Sequence, residues 1–335
     1  MSKQPPAFSN QSNAPVPRWR KTPPALFPPV LGLFGLATAW LRAPDAFGAL
    51  AGIGEFLAGA MVLIFLFTAG HYVAKLAARP GVVVEDLKIL PGRAGLAALT
   101  MAGMLFASAL VPYSMVLARV ALVFAIFAHA GILAIVIANL VASPAEGRKV
   151  TPVFHLTFVG LIVSAIPALQ LGWSGYATAV FWATLIAALA IWALSALQFA
   201  RDVPPPPLRP LLAIHLAPAS LLGTVALLLG KPGLGLAFGI LAILLLAALL
   251  AGFRWVTKAG FSPFWGAMTF PLAAFSSLMM ILAGAGMGPI GGGVFRILGG
   301  LALIAATFFI PWVAAKVTQM WLKGGLAVKT NAAVA

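Results

Sequence analysis

The sequence predicts an all-α protein that lives in a lipid bilayer, and three observations carry the prediction. Of the 335 residues, 62% are apolar and only 8% charged, with a mean hydropathy of +1.06. That is too little polar surface to clothe a soluble globule of this size. The long apolar stretches, such as 179–196 and 236–252, do not alternate as the ~10-residue strands of a membrane barrel do. Backbone amides in hydrocarbon must be satisfied within the chain, so these stretches are helices. Finally, a proline stands near the start of alternate apolar segments, at Pro29, Pro91, Pro152, Pro210 and Pro263, spaced by 62, 61, 58 and 53 residues.

Each of those intervals holds a segment of roughly 20 residues, a short connection and a longer segment, enough for two crossings of a bilayer. The expected helices are 24–42, 47–77, 93–112, 114–143, 151–170, 175–200, 209–230, 234–257, 262–284 and 291–321, forming five hairpins. The prolines fit the first turn of the odd helices, where a missing N–H costs little. Three regions result: a polar, Pro-rich, basic tail over 1–23, expected to be disordered and cytosolic, a ten-helix domain over 24–322, and a short cytosolic tail over 323–335.

Lys and Arg orient the chain. The tails and the even-to-odd connections, from Lys3 onward, carry 17 of the 21 basic residues. The opposite side has only Arg42, Arg119, Lys231 and Arg296. The positive-inside rule therefore places both termini in the cytosol of a cell whose inner, or plasma, membrane holds the protein. The odd helices carry hydroxyls and prolines, including Thr100, Ser108, Thr157, Ser164, Pro167, Pro218, Ser220, Thr269 and Pro271, whereas the helix over 234–257 is nearly uniform Leu, Ala and Ile. Lipid accepts the second kind of surface on all sides, and helix contacts or water favour the first. The expected architecture is five odd helices inside and five even helices outside, in a quasi-fivefold arrangement around a central pore.

Composition also excludes function classes. A net charge of +15 would suggest nucleic acid in a soluble protein, but no basic run interleaved with aromatics is present, and topology accounts for the charge. Cysteine is absent, and the four histidines are too scattered for helical metal-ligand spacing, so no metal or other cofactor is expected. With six acids in the chain and no phosphate-binding Gly-Lys-Ser/Thr loop, neither an intramembrane transferase nor an ATP-driven pump fits. The run GPIGGG at 288–293 reads as a turn between the last two helices. The chain is expected to be a transporter rather than an enzyme.

Three stretches, TPVFHLTFVG at 151–160, HLAPAS at 215–220 and WGAMTFPLAA at 265–274, resemble the tellurite-resistance/dicarboxylate transporter family, which includes bacterial TehA channels and plant guard-cell slow anion channels. The resemblance implies a homotrimer in which each protomer has its own pore. It also implies odd helices kinked at Pro167, Pro218 and Pro271, and a phenylalanine of helix nine, here Phe270, plugging the pore. One departure is Leu161, standing after Val159-Gly160 where the family often has a polar residue. The implied function is a gated channel for small anions such as chloride or nitrate. The alternatives in the same fold are a proton-coupled carrier of C4-dicarboxylates or related organic anions, and a tellurite-resistance exporter.

Each candidate residue has a plainer account beside the functional one. Phe270, next to the kinking Pro271, is either the gate or one of 23 phenylalanines filling a helix contact. Phe34, Phe106 and Phe158 would narrow the pore at other depths or simply pack, and Thr269 would line it beside the gate. His155 and His215, near the cytosolic ends of their helices, would offer N–H donors or a proton to an anion, or bond to water and backbone. Arg42, Arg119, Lys231 and Arg296 would attract anions to the outer mouth or snorkel to headgroups. Glu55, a carboxylate near the hydrocarbon, would pair with Arg42 or Arg119, or serve proton coupling. The apolar spans of the odd helices hold no fixed charge, so a pore among them would bind ions weakly and favour those that shed water cheaply.

Overall fold

A computed structural model of the chain describes residues 17–144, 148–288 and 292–335. Most of the tail expected over 1–23, including Lys3, and residues 289–291 of the glycine-rich turn at 288–293 lie outside the described residues. What is described is helical almost throughout. Among the described residues, nine segments are long and apolar enough to cross a membrane.

The first hairpin pairs α1 (Phe27–Phe47) with α2 (Ala51–Ala78). The first helix runs five residues beyond its expected end, passing Pro44, and Gly48 closes it in the left-handed region at φ 68°. Such a conformation suits glycine, which has no Cβ to clash. A short α3 (Val82–Lys88), not foreseen, precedes α4 (Leu90–Leu110), which is followed by α5 (Met115–Ala142). At 28 residues each, α2 and α5 are about 42 Å long, well over the ~30 Å hydrocarbon thickness.

The fifth segment departs most from the expected helix over 151–170. It is wound as a π-helix over His155–Val159, a 3-10 helix over Gly160–Ser164, and only then α6 (Ala165–Gln170). Its partner is α7 (Ser174–Phe199). The seventh segment likewise begins as 3-10 over Pro206–His215 and continues as α8 (Leu216–Leu228), followed by α9 (Pro232–Ala251) and the one-turn α10 (Phe253–Val256). The ninth opens as 3-10 over Pro263–Met268, becomes α11 (Thr269–Gly284), and is followed by α12 (Gly293–Leu322) and α13 (Gly325–Lys329).

The 3-10 turns that lead into α6, α8 and α11 share a feature. Pro167, Pro218 and Pro271 each stand two residues after the start of α6, α8 and α11. Proline brings no N–H and its ring crowds the carbonyl four residues back, which disfavours regular α-helix on its N-terminal side, although α1 and α12 accommodate Pro44 and Pro311 in their interiors. Before α6, α8 and α11 the turns are 3-10 instead.

Packing separates the two kinds of span. Over their most apolar 18-residue stretches, the four long odd spans are 61–89% buried and the five even spans 22–39%. The even faces display Phe56, Phe124, Phe127, Leu244 and Phe308, large apolar side chains that hydrocarbon solvates at no cost. Outside the membrane segments, Lys149 donates to Asp202 at 2.9 Å. That hydrogen bond and the lysine's charge hold the Asp202 carboxylate below its ordinary range.

Candidate functional site

The odd spans touch in a closed circuit. α1 packs on α4, α4 on the segment over 155–170, that segment on α8, α8 on α11, and α11 back on α1. A void lies where these spans begin. Its wall includes Pro28 of α1, Pro91 of α4, Leu156 of the fifth segment, Ile214 of the seventh, and Pro263 and Ala267 of the ninth. Every odd span thus contributes to a single apolar cavity, and three of its lining residues are prolines at helix starts.

Phe270 stands three residues beyond Ala267, about one turn deeper than the void. It is buried at 5% exposure, and its ring lies against Gly35 of α1. Thr269, beside it, is fully buried. Its hydroxyl lies within hydrogen-bond reach of the Gly266 carbonyl at 2.7 Å and the Pro28 carbonyl at 3.2 Å, and it presses on Gly32. That hydroxyl hydrogen is spent on backbone at the α1–α11 contact.

Two of the other phenylalanines pack on one ring of an even span. Phe34 packs edge-on to Phe65 of α2, with ring centres 5.7 Å apart, and Phe106 stacks on the same ring at 5.5 Å. Phe158 lies tilted on Phe154 at 5.3 Å. The first pair therefore joins α1 and α4 to an even span.

His155 and His215, 60 residues apart in sequence, come together: His155 Nε2 lies 3.0 Å from His215 Nδ1, so the two imidazoles share one hydrogen. Trp192 of α7 donates its indole N–H to the His215 carbonyl at 3.3 Å and lies beside the His155 ring. His155 also borders a second, narrow void lined by Met101, Gly160 and Pro218, with room for about one water molecule.

The four basic residues of the opposite side all fall at helix ends away from the void. Arg119 and Arg296 are exposed, Lys231 lies over the Trp182 ring at 5.8 Å, and Arg42 is half-buried near the end of α1. Glu55 is exposed and, among the described residues, makes no ion pair.

Sequence reasoning missed two polar centres. Asp86, fully buried, accepts from Lys75 Nζ at 3.0 Å, from the Tyr72 hydroxyl at 3.0 Å and from the Ala333 backbone N–H at 2.8 Å. Lys75, equally buried, also donates to the Thr22 carbonyl at 3.1 Å. Arg79 pairs with Glu85 alongside and donates to the Val334 carbonyl. These contacts tie the segment before α1, the end of α2, α3 and residues 330–335 into one cluster. The second centre is His129 of α5. Its Nε2–H donates to the Thr157 carbonyl at 3.0 Å, leaving Nδ1 to accept from the Thr100 hydroxyl at 2.8 Å. The signal for each was a polar residue in or beside an apolar helix, and its partners lay too far along the chain to be guessed.

Comparison with known proteins decides the family. The profile of the voltage-dependent anion channel family matches residues 21–318, the whole circuit of odd spans and their partners. The chain belongs to this family. No curated protein matches the chain. As a member of the voltage-dependent anion channel family, it is a multi-pass membrane protein of a group of channels and transporters rather than enzymes, and small anions are what such proteins carry. The family assignment agrees with the resemblance read from the stretches at 151–160, 215–220 and 265–274.

Proposed function

We propose that this protein is a gated channel for small anions, with the five odd spans standing around a conduit on a quasi-fivefold axis and the Phe270 ring closing it. In this reading the short segment over 155–170 crosses the membrane as a tenth span. The observation that carries the reading is the single void to which all five odd spans contribute, with Phe270 buried one turn deeper. An apolar ring at a constriction blocks both by bulk and by excluding water. Phe34 and Phe106 then serve packing against α2, and Thr269 locks α11 to α1. Pro167, Pro218 and Pro271 set where each wall segment changes its winding.

The void faces the cytosol, because the connections on its side carry most of the Lys and Arg. Arg42, Arg119, Lys231 and Arg296 sit at the far mouth, where they raise the local anion concentration. Apolar walls without fixed charge select by dehydration cost rather than by tight binding. The assembly is a homotrimer in the inner membrane, each protomer with its own conduit.

The test is anion current through Phe270→Ala in planar bilayers or oocytes. The expected result is a current raised roughly tenfold or more over wild type, a barrier change of about 1.4 kcal/mol. An unchanged current from well-folded protein would remove the gate. One observation bears on a second reading, a proton-coupled carrier of dicarboxylates: the His155 and His215 imidazoles, from two odd spans, share one hydrogen beside the second void. Uptake that accumulates substrate and collapses with the proton gradient would support that carrier. Passive current reversing at the anion equilibrium potential supports the channel.

A further inference from the structure

Gly35 lies in the interior of α1, where glycine is a poorer helix former than alanine. A glycine kept there needs a reason, and the neighbouring atoms supply one. A methyl group on Gly35 would stand 2.9 Å from Phe270 Cδ2, 3.3 Å from Phe270 Cε2 and 3.0 Å from Ala273 Cβ. Carbon atoms in good contact sit about 3.5–4.0 Å apart, so the ring occupies the space that a side chain at 35 would need.

The position also fits the conduit. Pro28, seven residues earlier, lines the void, and seven residues bring a helix back to nearly the same face. Gly35 is therefore on the conduit side of α1, two turns deeper, at the level where the Phe270 ring reaches across from α11. The neighbouring glycine serves a different contact: a methyl on Gly32 would collide with the Thr269 side chain, 2.2 Å from its Oγ1, and with no ring.

We infer that Gly35 is the socket of the gate, a positioning residue that holds the Phe270 ring in its blocking place by leaving a notch in the wall opposite. The inference rests on the reading of Phe270 as the gate. With alanine at 35, the ring and the methyl cannot both keep their places. The α1 backbone is fixed by its packing on α4, α11 and α12, so the ring gives way by turning about its own side-chain bonds.

The experiment is anion efflux from proteoliposomes holding full-length wild type, Gly35→Ala, Phe270→Ala, the double variant Gly35→Ala/Phe270→Ala, and Gly35→Ala/Ala273→Gly. Gly35→Ala is expected to raise efflux at least about fivefold. The Gly35→Ala/Phe270→Ala variant should match Phe270→Ala, because no ring remains to displace. Adding Ala273→Gly removes the 3.0 Å contact with the Ala273 methyl but should not restore the closed state, since the 2.9 Å contact with the ring remains. The socket is overturned if Phe270→Ala raises efflux while Gly35→Ala stays at the wild-type level, or if the two changes add. Wild-type efflux from Phe270→Ala overturns the gate itself, and the socket with it, which is a different result. Should Gly35→Ala fail to fold alone, the Gly35→Ala/Phe270→Ala variant decides. A folded double with Phe270→Ala efflux supports the socket, and an unfolded double shows that the methyl meets something other than the ring.

Discussion

Among single residues, Asp86 carries the most concentrated set of contacts: an ammonium, a phenol and a backbone N–H on one buried carboxylate. Removing it strands the Lys75 ammonium, whose side chain is fully buried. Breaking a buried pair by deleting one partner costs about 3–5 kcal/mol. Asp86→Ala should therefore lower the thermal unfolding midpoint in detergent sharply, and a midpoint equal to wild type would show the cluster to be dispensable. By contrast Lys149→Ala, at the exposed pair with Asp202, should leave that midpoint nearly unchanged, because surface pairs contribute little. None of the Asp86 contacts was legible beforehand. In sequence, Asp86 sits beside Glu85 in what reads as a loop, and Lys75 counts only toward topology. The Thr22 carbonyl that accepts from Lys75 lies 53 residues before it, and the Ala333 N–H that donates to Asp86 lies 247 residues beyond it. The stretch around Phe270 was legible as a family resemblance, but the contact of its ring with Gly35 was not, since a notch is a property of two packed surfaces.

At the scale of elements, the prolines explain both what the sequence analysis captured and what it missed. Proline at the first turn marks the starts of α1 and α4 and of the 3-10 segment at 263, whereas Pro210, expected at a helix start, stands inside the 3-10 segment over Pro206–His215, and Pro152 precedes the fifth segment. The same residue type at 167, 218 and 271 stands just after the 3-10 turns, and hydrophobic periodicity cannot distinguish 3-10, π and α turns in a uniformly apolar run. The fifth segment is the extreme case, because its π turn alters the carbonyl pattern around Thr157. His129 meets that carbonyl from α5 while taking the Thr100 hydroxyl from α4, so one imidazole joins three spans. His129→Phe keeps an aromatic ring but removes the bond to the buried Thr157 carbonyl, at a cost of about 1–3 kcal/mol. The expected result is a lowered unfolding midpoint, and an unaltered one would mean that the bridge contributes nothing to stability.

For the molecule as a whole, burial is divided by the parity of the spans. Because the chain contains no cysteine, single introduced thiols report on one site each. A bilayer-soluble maleimide should label Phe124→Cys, Leu244→Cys and Phe308→Cys on the even spans and spare Met104→Cys on α4, whose side chain is fully buried. The reverse pattern would invert the architecture. A conduit without fixed charge should also pass nitrate more readily than chloride, since dehydration is its main toll, and a chloride preference would point to a specific polar site instead. The parity of the spans was visible in composition, whereas closure of the odd spans around one void depended on contacts between residues far apart in sequence. The measurement that goes straight to the conduit is current through Phe270→Cys before and after a water-soluble methanethiosulfonate reagent. If position 270 closes the path, the variant conducts well above wild type and the reagent, by restoring bulk at the constriction, shuts it down. A Phe270→Cys protein that stays silent, or conducts and ignores the reagent, would contradict a conduit gated at that residue.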